Sequence, residues 1–238
     1  MKEKGARGKA QGARLKGQGL GAGMNEVRRA TPDDAGAIRR IAESLRYAPP
    51  GSEKGFLVHI RSEGGYRSIL EISKHSVVAE EDGRIVGFLL VHTMAELEKL
   101  AAGVPGRDEV VRYVLELGDT LAVYADQIGV SLDARSRGIG QSLAETMAKE
   151  HPNAHFLAAI MHQPARNGVS LRLAQRNGWT LRTEIPENEF IWGIYEKRTN
   201  EGARRLQVIY KYHQPIDCRS GDRTGDSTHA VSVPGKEF

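Results

Sequence analysis

Residues 128–140 read Ile128-Gly129-Val130-Ser131-Leu132-Asp133-Ala134-Arg135-Ser136-Arg137-Gly138-Ile139-Gly140, an apolar run followed by two glycines with two arginines close before them. Helical periodicity begins directly afterwards. Those residue types at that spacing make an anion site. A helix N-terminus presents free N–H groups and the positive end of its dipole, and glycine lets a ligand approach the backbone closely. Two common phosphate-binding motifs are excluded. A P-loop requires Gly-Lys-Ser/Thr, and the chain has Gly140-Gln141-Ser142. A dinucleotide fingerprint requires a third glycine or alanine where Leu143 stands, and an acid at the end of the next strand, where Ile160 and Met161 stand.

Arg135-x-x-Gly138-x-Gly140 resembles the pyrophosphate-binding motif of the GNAT superfamily of acetyl-CoA-dependent N-acetyltransferases, Arg/Gln-x-x-Gly-x-Gly/Ala. The likeness extends outward. Val130 lies five residues before Arg135, as in the family's splayed fourth strand, and Asn167-x-x-Ser170 with Asn177-Gly178-Trp179 is similar to its second signature. The Gly83…Gly87-Phe88 hairpin also matches, so the resemblance covers about residues 25–213, with its specific motifs in 128–179. It implies acetyl-CoA as co-substrate, held by Ile128, Val130, Arg135, Ser136, Arg137, Gly138, Ile139, Gly140, Gln141, Asn167 and Ser170. It also implies a primary amine, of a small molecule or a protein, attacking directly in a ternary complex.

A protonated amine is no nucleophile, so such a reaction needs a route for that proton. The family places its base, where it has one, on inward positions of the fourth strand, four and six residues before the valine position. Here these are Asp126 and Tyr124, and counting by twos sets both, with Ile128, on the face of Val130. A charge inside an apolar strand is costly to bury, which supports Asp126, with a salt bridge or an edge-exposed carboxylate as the competing role. For Tyr124 the competing role is core packing, and for Asn167 a helix cap. Ala174 stands where many relatives carry a tyrosine that protonates the leaving thiolate. That leaves Tyr195, Tyr210, Tyr212 or solvent for the task, and keeps open a non-catalytic acyl-CoA-binding regulatory module.

The elements that must position these residues are legible in outline. Asn25–Ala30 reads as a strand, and Thr31-Pro32-Asp33-Asp34 as a helix start with its cap, proline and acids. Ile38, Ile41, Ala42 and Leu45 then form one stripe. Residues 55–73 suggest one or two short helices. Ser76–Glu81 and Arg84–His92 are strands joined by Asp82-Gly83, a hairpin signal. Helical pieces within 96–117 break at 103–106, and the long insert 93–119 is a candidate lid or a subunit interface, as in a homodimer. Strand 121–130, helix 141–149, strand 155–161 and helix 169–176 follow, then candidate strands at 180–185, 190–196 and 206–213. The order predicts a single mixed α/β domain: a mostly antiparallel central sheet, splayed at its fourth strand and flanked by helices.

Charge and composition bound the rest. Residues 1–23 carry six Lys or Arg against one acid, a net of +5, while the whole chain carries +4, so residues 24–238 are near neutral at −1. The basicity therefore belongs to a glycine-rich arm, expected to be disordered, and no specific nucleic-acid partner is expected. Met24 is a candidate start of the folded part, 24–213, and 214–238 reads as a disordered tail. With one cysteine, Cys218, and neither an apolar leader nor a membrane-length run, a cytoplasmic chain without membrane contact is expected. The eight histidines show no ligand spacing, so no metal is expected.

Overall fold

The computed structural model describes residues 26–47, 55–102, 109–117 and 121–198. The arm at 1–23, the candidate strand at 206–213 and the tail lie outside them. Strand β1 (Glu26–Arg29) leads into a 3-10 turn (Pro32–Asp34) and helix α1 (Ala35–Ser44). Helix α2 (Glu63–Ile72) precedes β2 (Val77–Glu81) and β3 (Arg84–Thr93). Helices α3 (Met94–Ala102) and α4 (Glu109–Glu116) come before β4 (Ala122–Val130), α5 (Ile139–Glu150) and β5 (His155–Gln163). Helix α6 (Gly168–Arg176), β6 (Thr180–Glu187) and β7 (Phe190–Arg198) complete the described chain. Only one helix forms within 55–73, because Ser62 caps α2 through Gly65 N–H, and residues 55–62 run without helix. Among the described residues, no helix is long and apolar enough to cross a membrane.

The strands form one sheet in the order β1-β2-β3-β4-β5-β7-β6. Every neighbouring pair is antiparallel except β4 and β5. The β2–β3 turn is the one Asp82-Gly83 predicts, with both residues at positive φ, 49° and 75°. Helix α5 seats Ile139, Leu143 and Met147 on one face of the sheet, against Val86, Leu89, Val91, Val123 and Phe156. On the opposite face α1 and α2 pack Ile38, Ile41, Tyr66 and Ile69 against Val78, Phe88 and Leu90. The insert's helices α3 and α4 cover that same face further along, with Leu97 and Val114 against Tyr124 and Leu157. Tyr124 is thus buried in this cluster, and it also lines the cavity that Asp126 faces.

Two irregularities make room for a site. Strands β4 and β5 pair only over 122–125 and 155–158, although β4 continues to Val130 and β5 to Gln163. Beyond Ala125 the strands part, as the fold resemblance implies. Across β4's other edge, Leu90 pairs Gln127 and Val91 pairs Ala125, so Asp126 is an extra residue in a bulge.

Candidate active site

The loop after β4 has the backbone shape of a nest, turned by two left-handed residues. Ser136 sits at φ 65° and Gly138, the N-cap of α5, at φ 80°. Glycine adopts that conformation without Cβ strain, and it aims the first free N–H groups of α5 outward. Gly140 is helical, and a Cβ there would meet only Leu173 at 3.8 Å and Val130 at 3.9 Å. The two arginines separate in role. Arg137 donates to Glu81 at 3.0 Å and to the Asp133 carbonyl at 2.8 Å, so it braces the loop. Arg135 donates to the Gly55 carbonyl at 3.1 Å, and among the described residues no carboxylate pairs with it. Partial burial lowers its affinity for its proton, and its charge is met by the Gly55 and Val130 carbonyls.

Where β4 and β5 part, a cavity of about 790 Å³ opens, walled by Ile128, Ala158, Ile160, Asn167, Ser170, Leu173 and Ala174. Asn167 is buried, caps α6 by accepting from Ser170 N–H, and donates to the Phe56 carbonyl at 3.0 Å. The capping role weighed for it is therefore filled. Gln141 exchanges amide hydrogen bonds with Asn177 at 3.0 and 3.1 Å, tying the start of α5 to the end of α6. Trp179 packs beside Phe156. Ala174 is buried in a cluster with Tyr195, whose hydroxyl lies 3.1 Å from His162 Nε2, and His162 Nδ1 lies 2.6 Å from Glu184. Tyr210 and Tyr212 lie outside the described residues.

The structure corrects the strand count that set Asp126 and Tyr124 on the face of Val130. Val130, Ile128, Ala125 and Val123 all pack on the α5 side. The bulge inverts the alternation, so Tyr124, Asp126 and Gln127 share the opposite side with α2. There Asp126, its side chain 16 % exposed, pairs with Arg61 at 3.2 Å and accepts from His92 Nε2 at 3.3 Å. Burial pushes its carboxyl up, but Arg61, His92 and His59 reverse this and hold it far below the usual carboxylate range. His92, 1 % exposed, has its Nδ1 2.6 Å from the Ser73 hydroxyl. Gln127 donates to the His59 carbonyl at 2.6 Å and accepts from Tyr66 at 3.1 Å, while His59 stacks on Trp192. Arg61, His59, His92, Asp126 and Gln127 all line the cavity.

The architecture has parallels among known proteins. The family model described as the acetyltransferase (GNAT) family matches residues 45–179, more than half of the chain. This chain belongs to the GNAT family. Acetyl transfer is therefore its general activity, and it is an acyltransferase. Solved structures share the GNAT fold at low identity. The Salmonella typhimurium protein yncA, solved with acetyl-CoA, is 16 % identical, with TM-score 0.52 over 75 % of this chain and 95 % of its own. The ribosomal-protein-S18-alanine N-acetyltransferase of Escherichia coli is 14 % identical, with TM-score 0.51 over 74 % and 94 %. Diaminobutyrate acetyltransferase EctA of Paenibacillus lautus is 12 % identical, with TM-score 0.50 over 74 % and 95 %. Comparison with curated proteins returns no match.

Of the cofactor residues singled out from the sequence, Ile128, Asn167 and Ser170 line the cavity, and the loop at 135–140 follows the strand end at Val130 and leads into α5. The sequence reading missed the polar group on its other side, Arg61, His59, His92 and Gln127. Its only signal was an uninterrupted Asp126-Gln127 pair in an apolar strand. The partners come from elements 34 to 68 residues away, which no local pattern joins.

Proposed function

We propose that this GNAT chain binds acetyl-CoA in the cleft between β4 and β5 and acetylates a primary amine that enters from the Asp126 side. One observation carries the reading: the strands part directly above a helix N-terminus whose cap is a left-handed glycine. The residues present suit the group. The free N–H groups of α5 and the Arg135 guanidinium would meet the pyrophosphate. The edge of β4 past Ala125, which has no partner strand on its β5 side, offers Ile128 and Val130 backbone groups to the pantetheine. Ser136, Ile139 and Gln141 shape the rest of that loop, and Arg137 holds it from outside. The thioester end would then lie near the Asp126 bulge.

Asp126 remains ionised and faces the cavity, a suitable acceptor for the N–H groups of an incoming amine. The amine, once it has lost a proton to a neighbouring base or water, would bond through nitrogen to the thioester carbonyl carbon. The carbon–sulfur bond would break, and coenzyme A would leave as a thiolate that takes up a proton from solvent. Two neighbours in the fold support an amine: one acts on the alanine of ribosomal protein S18, the other on L-2,4-diaminobutyric acid.

Gly140→Asp tests the cofactor site, because its Cβ has room and only the carboxylate's charge and bulk reach the nest. Calorimetry should show acetyl-CoA binding to the wild type and none to the variant, at nearly equal melting temperature. Equal affinity in both would refute the assignment. Thiol release with a panel of primary amines tests the chemistry, and binding without turnover of any of them would favour the regulatory module that Ala174 suggested.

A further inference from the structure

We propose that His75, Glu150 and His151 form a binding site for a divalent transition-metal ion of the zinc kind, at the end of α5 opposite the acetyl-CoA cleft. His75 lies in the link between α2 and β2, Glu150 is the last residue of α5, and His151 is its C-cap. One ligating atom from each lies within 4.8 Å of the others. The two imidazoles meet at 4.6 Å between ring centroids. Two imidazoles and one carboxylate are a donor set suited to zinc, with a water completing four-coordination.

The unsatisfied atoms point to a ligand. His75 Nδ1, His151 Nε2 and both Glu150 carboxylate oxygens are buried, and none has a hydrogen-bond partner. Buried polar atoms are seldom left so, and several converging in one cluster call for a shared partner. Arg29 NH1 lies 2.8 Å from Glu150 Oε2, but off the line of a hydrogen bond. It holds one oxygen as an ion pair, orients the carboxylate and leaves Oε1 for an ion, the usual arrangement around a ligating carboxylate.

Ligand atoms about 2.1 Å from a tetrahedral ion stand about 3.4 Å apart, so a modest rotation of Glu150 closes the set. The negative end of the α5 dipole favours a cation there. The histidine spacing hid the set, because His75 and Glu150 stand 75 positions apart in the chain. The ion would tie the lead-in of β2 to the far end of the helix that carries the acetyl-CoA nest.

The test uses the full chain, stripped with chelator and titrated with Zn²⁺ by calorimetry and with Co²⁺ by visible absorption. One equivalent should bind, with Co²⁺ bands of low coordination number and a raised melting temperature. His75→Gln, Glu150→Gln and His151→Gln should each weaken binding at least tenfold. In the wild type, imidazole ¹H–¹⁵N spectra should show Zn²⁺ shifting the His75 and His151 ring nitrogens, a readout that needs no variant to fold. Absence of wild-type binding, equal binding by all three variants, or shifts confined to other histidines would each overturn the site.

Discussion

At position 126 the physical question is what a carboxylate can do once a guanidinium and an imidazole already hold it. Arg61 at 3.2 Å and His92 at 3.3 Å overcome the desolvation that would favour its neutral form, so it stays charged well into acid. Such a group is a weak proton acceptor and a strong acceptor of hydrogen bonds. Its expected part in catalysis is to receive the amine, with the His59 imidazole on the same wall of the cavity. Asp126→Asn should therefore lower kcat/KM for the amine by roughly 10²-fold or more, with acetyl-CoA affinity unchanged. The acidic limb of the pH–rate profile near neutrality should survive in the variant. Its disappearance would make Asp126 itself the titrating base.

At the scale of elements, the two ends of short structures decide geometry. The single bulge in β4 turns Asp126 away from α5 and toward α2, and without it the carboxylate would point into the apolar packing of Leu143 and Ile139. The β1–α1 corner is set by Asp34. It accepts from Thr31 N–H at 2.7 Å and from the Thr31 hydroxyl at 3.1 Å, and takes two bonds of 2.9 Å from the Arg28 guanidinium. Burial pushes this carboxyl up, but Arg28 and Thr31 more than reverse it, and its affinity for a proton is lower folded than unfolded. The stabilisation is therefore complete above the ordinary carboxyl range, near 3.9, and is lost as pH falls through the lower folded value. Asp34→Asn should cost roughly 1.5–3 kcal/mol at pH 7, and the gap to wild type should narrow steadily in urea melts below about pH 4. A gap that stays constant with pH would show that the charge is not what stabilises the corner.

At the scale of the molecule, one sheet carries two differently used faces, and α5 covers the one that leads to the nest. Leu143 is fully buried where α5 meets β2 and β3, and it also contacts the space above Gly87. Leu143→Ala leaves a void that the sheet below cannot fill, and should cost about 2–5 kcal/mol in urea unfolding. Because the same helix aims its N-terminus at the nest, acetyl-CoA affinity should fall with it. A loss below about 1 kcal/mol would mean that α5 is seated by its ends rather than by this stripe.

The sequence by itself determined what depends on near neighbours. The Asp82-Gly83 turn, the α1 stripe, the order of strands and helices, and the glycine loop before α5 all rest on backbone conformations and periodicities set within a few residues. Those signals, with the spacing of Arg135, Gly138 and Gly140, were enough for the fold class and for the nest. What only the tertiary structure decided depends on pairing across the sheet. A strand count cannot foresee a bulge, because the extra residue is defined by its partner strand, and so the face of Asp126 was read wrongly. The company it keeps, Arg61 and His92, arrives from other elements, as do the ligands at His75 and His151. The division of labour between Arg135 and Arg137 was likewise settled by Glu81 on a neighbouring strand, since a charge is neutralised by whatever carboxylate the fold brings near it.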